Sequence, residues 1–338
     1  MKKERVEWID IAKGIGIITV VMVHSGVSYE IIKFLLSFNM QLFFFISGYL
    51  FKSEAGVLAF IKKKGRSLLI PYFSFSIITY LFWLIVEQRI RDSSISSFKP
   101  LLGIFYSNNI DNFMVFNGVL WFLTCLFVVE CLYCIIVKKI KDRKKIVVLL
   151  VVMSIIGYLD SLYTTIRLPW SINIALTAIV FYGIGNVTKS YINRLTLYKR
   201  SKLLLAAGLS FLLALLVNRY NSIIYMYDNS YGNYVLFYLA SLLGILGVAC
   251  LSMAIKKSKV LSYLGINSLI ILAVHGKIFL VFNFIMNIFG TSNRSDMNEL
   301  IKGITYTVFA LLICIPFIYI INRYFPFLLG RRINIRKN

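Results

Sequence analysis

Apolar residues dominate the chain in runs of about 18–20, and short polar or basic segments separate these runs. Each run is long enough to cross the roughly 30 Å hydrocarbon core of a bilayer as a helix. The alternation over about ten residues that is typical of membrane β-barrels is absent. The pattern therefore predicts an all-α, polytopic transmembrane bundle of about ten helices, placed at residues 8–28, 34–51, 67–87, 117–137, 146–160, 171–188, 203–218, 234–255, 266–289 and 303–322.

The loops between these helices differ in charge. Most of the 37 Lys and Arg residues lie in the N-terminal segment and in every second loop, whereas the alternate loops hold few. Because basic residues collect in cytoplasmic loops, both termini are predicted to be cytoplasmic. We expect a single transmembrane domain over residues 1–325, followed by a short basic cytoplasmic tail over residues 326–338.

Composition supports a membrane protein and changes how the charge is interpreted. The chain is 59% hydrophobic and its mean hydropathy is +0.79, which is unlike an ordinary soluble domain. A net charge of +23 would suggest nucleic acid in a soluble protein. Here the basic cytoplasmic loops explain it, so we expect membrane lipids and anionic cofactors as partners, and no nucleic acid.

The first predicted helix carries three polar residues, Asp10, Lys13 and His24. Charged groups inside a membrane segment are costly, and function is their default interpretation. Lys13 and His24 are separated by about 16 Å along the axis and lie within roughly 20° of one helix face. Asp10 can pair with Lys13 from three residues away, and it is a candidate catalytic residue together with His24. Imidazole can accept a hydroxyl proton near neutral pH, so His24 is the candidate general base.

Lys13 has two interpretations. An ion pair between Asp10 and Lys13 could fix the helix at the inner surface, with the lysine reaching toward the headgroups. Alternatively, Lys13 could meet an anionic donor such as the phosphates of coenzyme A. Arg66 and Lys64, the last lysine of the basic run before it, are further candidate ligands for these phosphates. Arg66 is the more particular of the two, because the nearby Pro71 distorts the helix beside its charge.

Further polar and aromatic residues lie in later helices. Ser47, before Gly48, permits close helix packing or leaves room for a ligand. Trp121 fits an interfacial aromatic belt or a sugar-stacking surface, and the deeper Glu130 requires a partner. His275, with Lys277 nearby, could be a polar clasp between helices or a substrate or proton site.

The long, weakly charged loops and the cysteines give less information about function. Residues 88–116 and 219–233 mix Asn, Asp, Ser and Tyr, which suits sugar hydroxyls and also suits any membrane-interface loop. All five cysteines fall in predicted spans, so packing is favoured over zinc or redox use, and no metal is expected.

Several motifs occur along the chain in the same order as in a known family. They are DIAKGI at 10–15, Lys13 and His24 separated by ten residues, FFFISGYLF at 43–51, RSLLIPY at 66–72, LWFL at 120–123 and NSLIILAVH at 267–275. With these motifs the chain resembles the integral-membrane acyltransferase-3 family, and within it the fucose 4-O-acetylase-like branch.

The resemblance implies transfer of an acyl group, usually acetyl from acetyl-CoA, to a hydroxyl of an extracytoplasmic carbohydrate of the bacterial cell envelope. It also implies that His24 is the essential histidine and that Lys13 is its basic partner. Many members have arginine there, and lysine cannot form the same bidentate phosphate contact. Ser47, Trp121, Asn267 and His275 are the expected acceptor contacts.

Two other functions fit the same pattern. The chain could be a transporter or flippase for a lipid-linked glycan, although no inverted repeat supports this. It could also be a non-catalytic subunit of a polysaccharide synthase. For the acyltransferase, acetyl and succinyl donors, direct transfer and an acyl-histidine, and a monomer or a homo-oligomer all fit the sequence.

Overall fold

The computed structural model describes residues 6–52, 56–90, 95–288 and 298–331. These ranges are mostly helical, without a strand, and contain nine helical segments that are long and apolar enough to cross a membrane. The predicted all-α polytopic bundle is therefore confirmed. In chain order the helices are α1 Glu7–Val23, α2 Tyr29–Leu36, α3 Asn39–Tyr49, α4 Val57–Ile90, α5 Phe98–Tyr106, α6 Trp121–Lys139, α7 Arg143–Tyr163, α8 Ile172–Val187, α9 Lys189–Leu195, α10 Arg200–Arg219, α11 Tyr234–Ile255, α12 Lys259–Ile266, α13 Ser268–Ile288 and α14 Glu299–Tyr324.

The first predicted helix ends earlier than residue 28. Helix α1 has 17 residues, and His24 is its C-cap. The prediction is wrong over 24–28, because Gly26 has a φ of +81°, in the left-handed region that an α-helix cannot include. The Ser25 hydroxyl also bonds to the Met22 carbonyl oxygen at 2.8 Å, which closes the last turn.

Three other helices differ from the prediction. The helix predicted over 34–51 is interrupted at residues 37–38, which separate α2 from α3, and the Ser37 hydroxyl bonds to the Phe34 carbonyl oxygen at 2.7 Å at the end of α2. Helix α4 begins well before residue 67 and contains a π-helical stretch, Gly65–Leu69, just before Pro71. The π-helical turn is wider than an α-helical turn and makes room for Pro71, which lacks an N–H and would clash with the carbonyl four residues earlier in a regular helix. The helix predicted over 266–289 is broken at Asn267, which separates α12 from α13.

The chain divides into two compact units. The first unit comprises Met1–Leu50, Ile184–Met226 and Ser230–Ile315, and the second comprises Phe51–Gly183, Tyr227–Asn229 and Pro316–Asn338. Of the predicted site residues, Asp10, Lys13, His24, Ser47, Asn267 and His275 lie in the first unit. The second unit contains Lys64, Arg66 and Trp121. The predicted basic tail is described only as far as Arg331, and its remainder lies outside the described residues.

In the first unit, α1 packs closely against α12 through glycines. A Cβ at Gly14 would overlap the carbonyl oxygen of Leu261, and a Cβ at Gly265 would overlap that of Asp10. These two contacts show that the helices run antiparallel, with their backbones nearly touching. On α1, Gly16 also leaves room for side chains of α3. The close packing fixes the rotation of α1 and therefore the directions of its polar side chains.

In the second unit, polar side chains of helix ends and loops hydrogen-bond to one another and hold the fold together. The Asp160 carboxylate accepts hydrogen bonds from the amides of Asn173 and Asn229 at 2.8–2.9 Å, and one from the Thr164 hydroxyl at 2.8 Å. The Asn108 amide donates to the Leu168 carbonyl oxygen at 3.1 Å. Asn108 and Asn229 lie in the two long polar loops, whose contact with sugar stays a prediction.

Candidate active site

The two histidines of the chain lie side by side in the first unit. Helix α1 places His24 at its C-terminal end, and α13 places His275 in its second turn. Their ring centroids are 5.2 Å apart and the ring planes are inclined by 45°. This separation permits an N–H···N hydrogen bond when the rings point nitrogens at each other.

His275 is completely buried, and its two ring nitrogens have different environments. Nδ1 lies 2.9 Å from the carbonyl oxygen of Ile271. A carbonyl can only accept, so Nδ1 carries the proton and Nε2 carries the lone pair of the neutral ring. Within the described part of the chain, Nε2 has no hydrogen-bond partner. A buried acceptor of this kind is rare because it costs about 1–3 kcal/mol, so we infer that it serves a donor at this position.

His24 is exposed, but its backbone is held firmly. Its N–H bonds to the carbonyl oxygen of Val21 at 3.0 Å, and the Ser25 N–H bonds to that of Met22 at 3.1 Å. The turn formed by residues 24–28 packs against α14, where a Cβ at Gly303 would overlap the Val27 side chain. His24 can therefore meet a ligand from an anchored position.

The pair resembles a base and the group that orients it. If Nε2 of His275 accepts one N–H of His24, the other nitrogen of His24 keeps its lone pair for a ligand hydroxyl. A hydrogen bond to the second nitrogen selects the tautomer and fixes the ring, as in other nucleophile–base arrangements. The geometry thus supports proton abstraction at His24, with His275 as a positioning residue.

The N-terminal end of α1, which is predicted to face the cytoplasm, carries a second group of polar and aromatic residues. Asp10 and Lys13 are both partly exposed. Nearby, Trp8 packs edge-on to Tyr49, with the ring centroids 5.2 Å apart. The Lys189 ammonium lies 5.3 Å from the centre of the Tyr49 ring. Sequence reasoning placed Lys189 only in a basic loop, and no local motif distinguishes it from the other loop lysines. The predicted Asp10–Lys13 ion pair stays a prediction.

The other predicted residues of the first unit have different surroundings. Ser47 is partly exposed on α3, beside the buried Gly48. Asn267 is buried at the break between α12 and α13, where its amide donates to the Tyr263 carbonyl oxygen at 2.8 Å. That bond caps α12, so Asn267 positions the start of the helix that carries His275. Acceptor contacts by Ser47 and Asn267 stay predictions.

In the second unit, the structure supplies the missing partner of Glu130. The Lys64 ammonium lies 2.7 Å from a Glu130 carboxylate oxygen, and the two side chains are 27% and 2% exposed. Lys64 also lies 5.5 Å from the centre of the Phe60 ring. The lysine therefore neutralises a buried carboxylate, and its contact with a donor stays a prediction.

Arg66 and Trp121 complete the predicted set. Arg66 is exposed, and its Nε donates to the Gly330 carbonyl oxygen at 2.9 Å, which ties the C-terminal turn to α4. Trp121 is 5% exposed and packs edge-on to Phe122 at 6.2 Å between ring centroids. Phosphate binding by Arg66 and sugar stacking on Trp121 stay predictions.

Comparison with known proteins gives one match. A family model described as an acyltransferase domain matches residues 6–323, a range that includes every residue of the candidate site. No curated protein and no solved structure matches the chain.

Proposed function

We propose, from the premise that this chain belongs to the acyltransferase family, that it is a membrane O-acetyltransferase. It would move an acetyl group from acetyl-CoA to a hydroxyl of an extracytoplasmic or lipid-linked sugar at the bacterial plasma membrane, as the fucose 4-O-acetylase-like motifs imply. The family supports acyl transfer by a multi-pass membrane protein. The single observation that carries the finer proposal is the paired histidines, one accessible and one buried beside it.

In the proposed reaction, His24 removes the proton of the acceptor hydroxyl as its oxygen attacks the thioester carbonyl carbon. A carbon–oxygen bond forms and the carbon–sulfur bond breaks. The proton passes from His24 to the leaving coenzyme A sulfur, so the histidine is regenerated. His275 holds the His24 ring in the tautomer that has its lone pair toward the hydroxyl.

The inner end of α1 is the proposed contact for the distal part of coenzyme A. Lys13 and His24 are separated by about 16 Å of helix, so Lys13 can touch the nucleotide phosphates and cannot touch the reacting thioester. Asp10 would orient Lys13 rather than contact the reacting atoms. In the second unit, the exposed Arg66 is kept as a proposed phosphate contact, whereas Lys64 is engaged by Glu130.

The proposal is tested in cells by NMR of the envelope polysaccharide. Cells that express the wild-type chain should show an O-acetyl ester signal that is absent from cells with His24→Ala at equal membrane abundance. Tyr29→Ala is the matched control, because Tyr29 is 56% exposed and close in sequence but outside the site. An unchanged ester signal with His24→Ala would contradict the proposal.

A further inference from the structure

Three side chains on one face of α13 form a row that begins at the histidine pair. His275, Phe279 and Phe282 follow the i, i+4, i+7 spacing of a single helix face. The His275 and Phe279 rings meet edge-on, with centroids 6.5 Å apart. Phe282 then packs against Tyr306 and Phe309 of α14, at 5.0 and 4.8 Å between centroids.

The same part of α14 lies against the His24 turn. A Cβ at Gly303 would overlap Val27 and would lie 3.2 Å from the Ser25 hydroxyl oxygen. Tyr306 is three residues further along α14, and neighbours at this spacing have Cβ atoms about 5–6 Å apart. The aromatic row therefore connects to the active site twice, through His275 on α13 and through the His24 turn on α14.

Lys302 adds a positive charge to this surface. Its ammonium lies 5.7 Å from the centre of the Tyr306 ring, within the usual range of a cation–π contact. Phe282, Lys302 and Tyr306 are all partly exposed, so a ligand can reach them. The positive-inside bias places most lysines on the cytoplasmic side, and Lys302 lies on the predicted outer side. The bias therefore does not explain why a lysine occurs at this position.

We propose that Phe282, Tyr306 and Lys302 bind the acceptor, and that the acceptor is an anionic glycan. This inference rests on the proposed function. A sugar ring would pack on the aromatic side chains, and a neighbouring carboxylate or phosphate would pair with Lys302. The hydroxyl of that sugar is then directed toward His24, at the other end of the row.

The test measures acetyl-ester formation by the full-length protein in nanodiscs with acetyl-CoA. Three acceptor oligosaccharides are compared: a neutral one, one that contains uronic acid, and one linked by phosphodiesters. Wild-type protein should have a lower KM for at least one anionic acceptor than for the neutral one. The better of the two anionic acceptors identifies carboxylate or phosphate as the recognised group.

Lys302→Ala should raise the KM for the preferred anionic acceptor about tenfold, in line with the loss of one charge-assisted contact, with kcat nearly unchanged. Lys302→Arg should restore the KM. Lys33→Ala is the matched control, because Lys33 is another lysine on the predicted outer side of the first unit and its ammonium contacts the Arg219 carbonyl oxygen at 3.5 Å. Salt should weaken binding of the anionic acceptor in wild-type protein and have little effect in Lys302→Ala.

Equal KM values for neutral and anionic acceptors, or an unchanged KM in Lys302→Ala, would overturn the inference. So would a Lys302→Ala effect that follows the anionic lipid content of the nanodisc rather than the acceptor, because the lysine would then be a headgroup contact. These results leave the proposed function intact as long as His24→Ala still abolishes ester formation. If His24→Ala retains full activity, the proposed function fails as well.

Discussion

Replacing His275 with phenylalanine separates a positioning role from a structural one. The substitution removes the Nδ1 bond to Ile271 and the proposed Nε2 bond to His24, which contribute about 0.5–1.5 kcal/mol each. It also replaces two buried ring nitrogens by carbon, which removes a desolvation cost of similar size. Phenylalanine has a similar shape and suits the fully buried position. We therefore expect the stability of His275→Phe to stay within about 1–2 kcal/mol of wild type, or to rise.

Activity, in contrast to stability, should fall strongly in His275→Phe. A well-placed general base contributes a factor of about 10²–10⁴ to the rate, and His24 loses its orienting acceptor in His275→Phe. We expect kcat to fall by about 10² or more, with an unchanged KM for acetyl-CoA. His275→Gln should recover part of kcat, because its side-chain carbonyl can accept the His24 N–H.

The assay combines initial rates of acetyl transfer in nanodiscs with thermal unfolding of the same preparations. A positioning role predicts a stable, slow His275→Phe and a faster His275→Gln. The reasoning is refuted if His275→Phe unfolds and His275→Gln restores stability and activity in parallel. His275 would then be a polar clasp between helices.

Three further predictions concern the donor end, helix packing and the buried ion pair. Lys13→Ala should raise the KM for acetyl-CoA about tenfold with little change in kcat, and an equal loss in both would contradict the division of roles along α1. Gly265→Ala should cost about 1–3 kcal/mol of stability, because the added Cβ would overlap the α1 backbone. Gly276→Ala should be neutral or stabilising, because its Cβ would meet open space. Similar unfolding temperatures for the two variants would refute this packing. Lys64→Met should cost about 3 kcal/mol of stability, because it leaves the buried Glu130 carboxylate without its lysine. Adding Glu130→Gln should restore most of that stability. Strictly additive losses in a double-mutant cycle would show that the two residues are not coupled.

The helices were predictable because the apolar runs are long and the bilayer sets their length. Their ends were less predictable. The break after Val23 depends on the positive φ of Gly26, and the break at Asn267 depends on a side-chain cap on α12. Both are local backbone features inside strongly apolar sequence, so hydropathy continues across them without a signal.

The candidate site was predictable one residue at a time but not as an arrangement. His24 and His275 were each conspicuous as intramembrane polar residues, yet the contact between them depends on the packing of helices that are far apart in the chain. The same applies to Glu130, which needed a partner that only the fold could identify as Lys64. Lys189 was missed because one lysine in a basic loop resembles the others.

The central claim, that His24 is the base for acetyl transfer, is tested most directly with purified protein and acetyl-CoA labelled in the acetyl group. In nanodiscs with an acceptor glycan, wild-type protein should transfer label to the glycan and release coenzyme A in equal amounts. His24→Ala at the same folded concentration should do neither above background, while Tyr29→Ala matches wild type. Label transfer by His24→Ala at the wild-type rate would contradict the account.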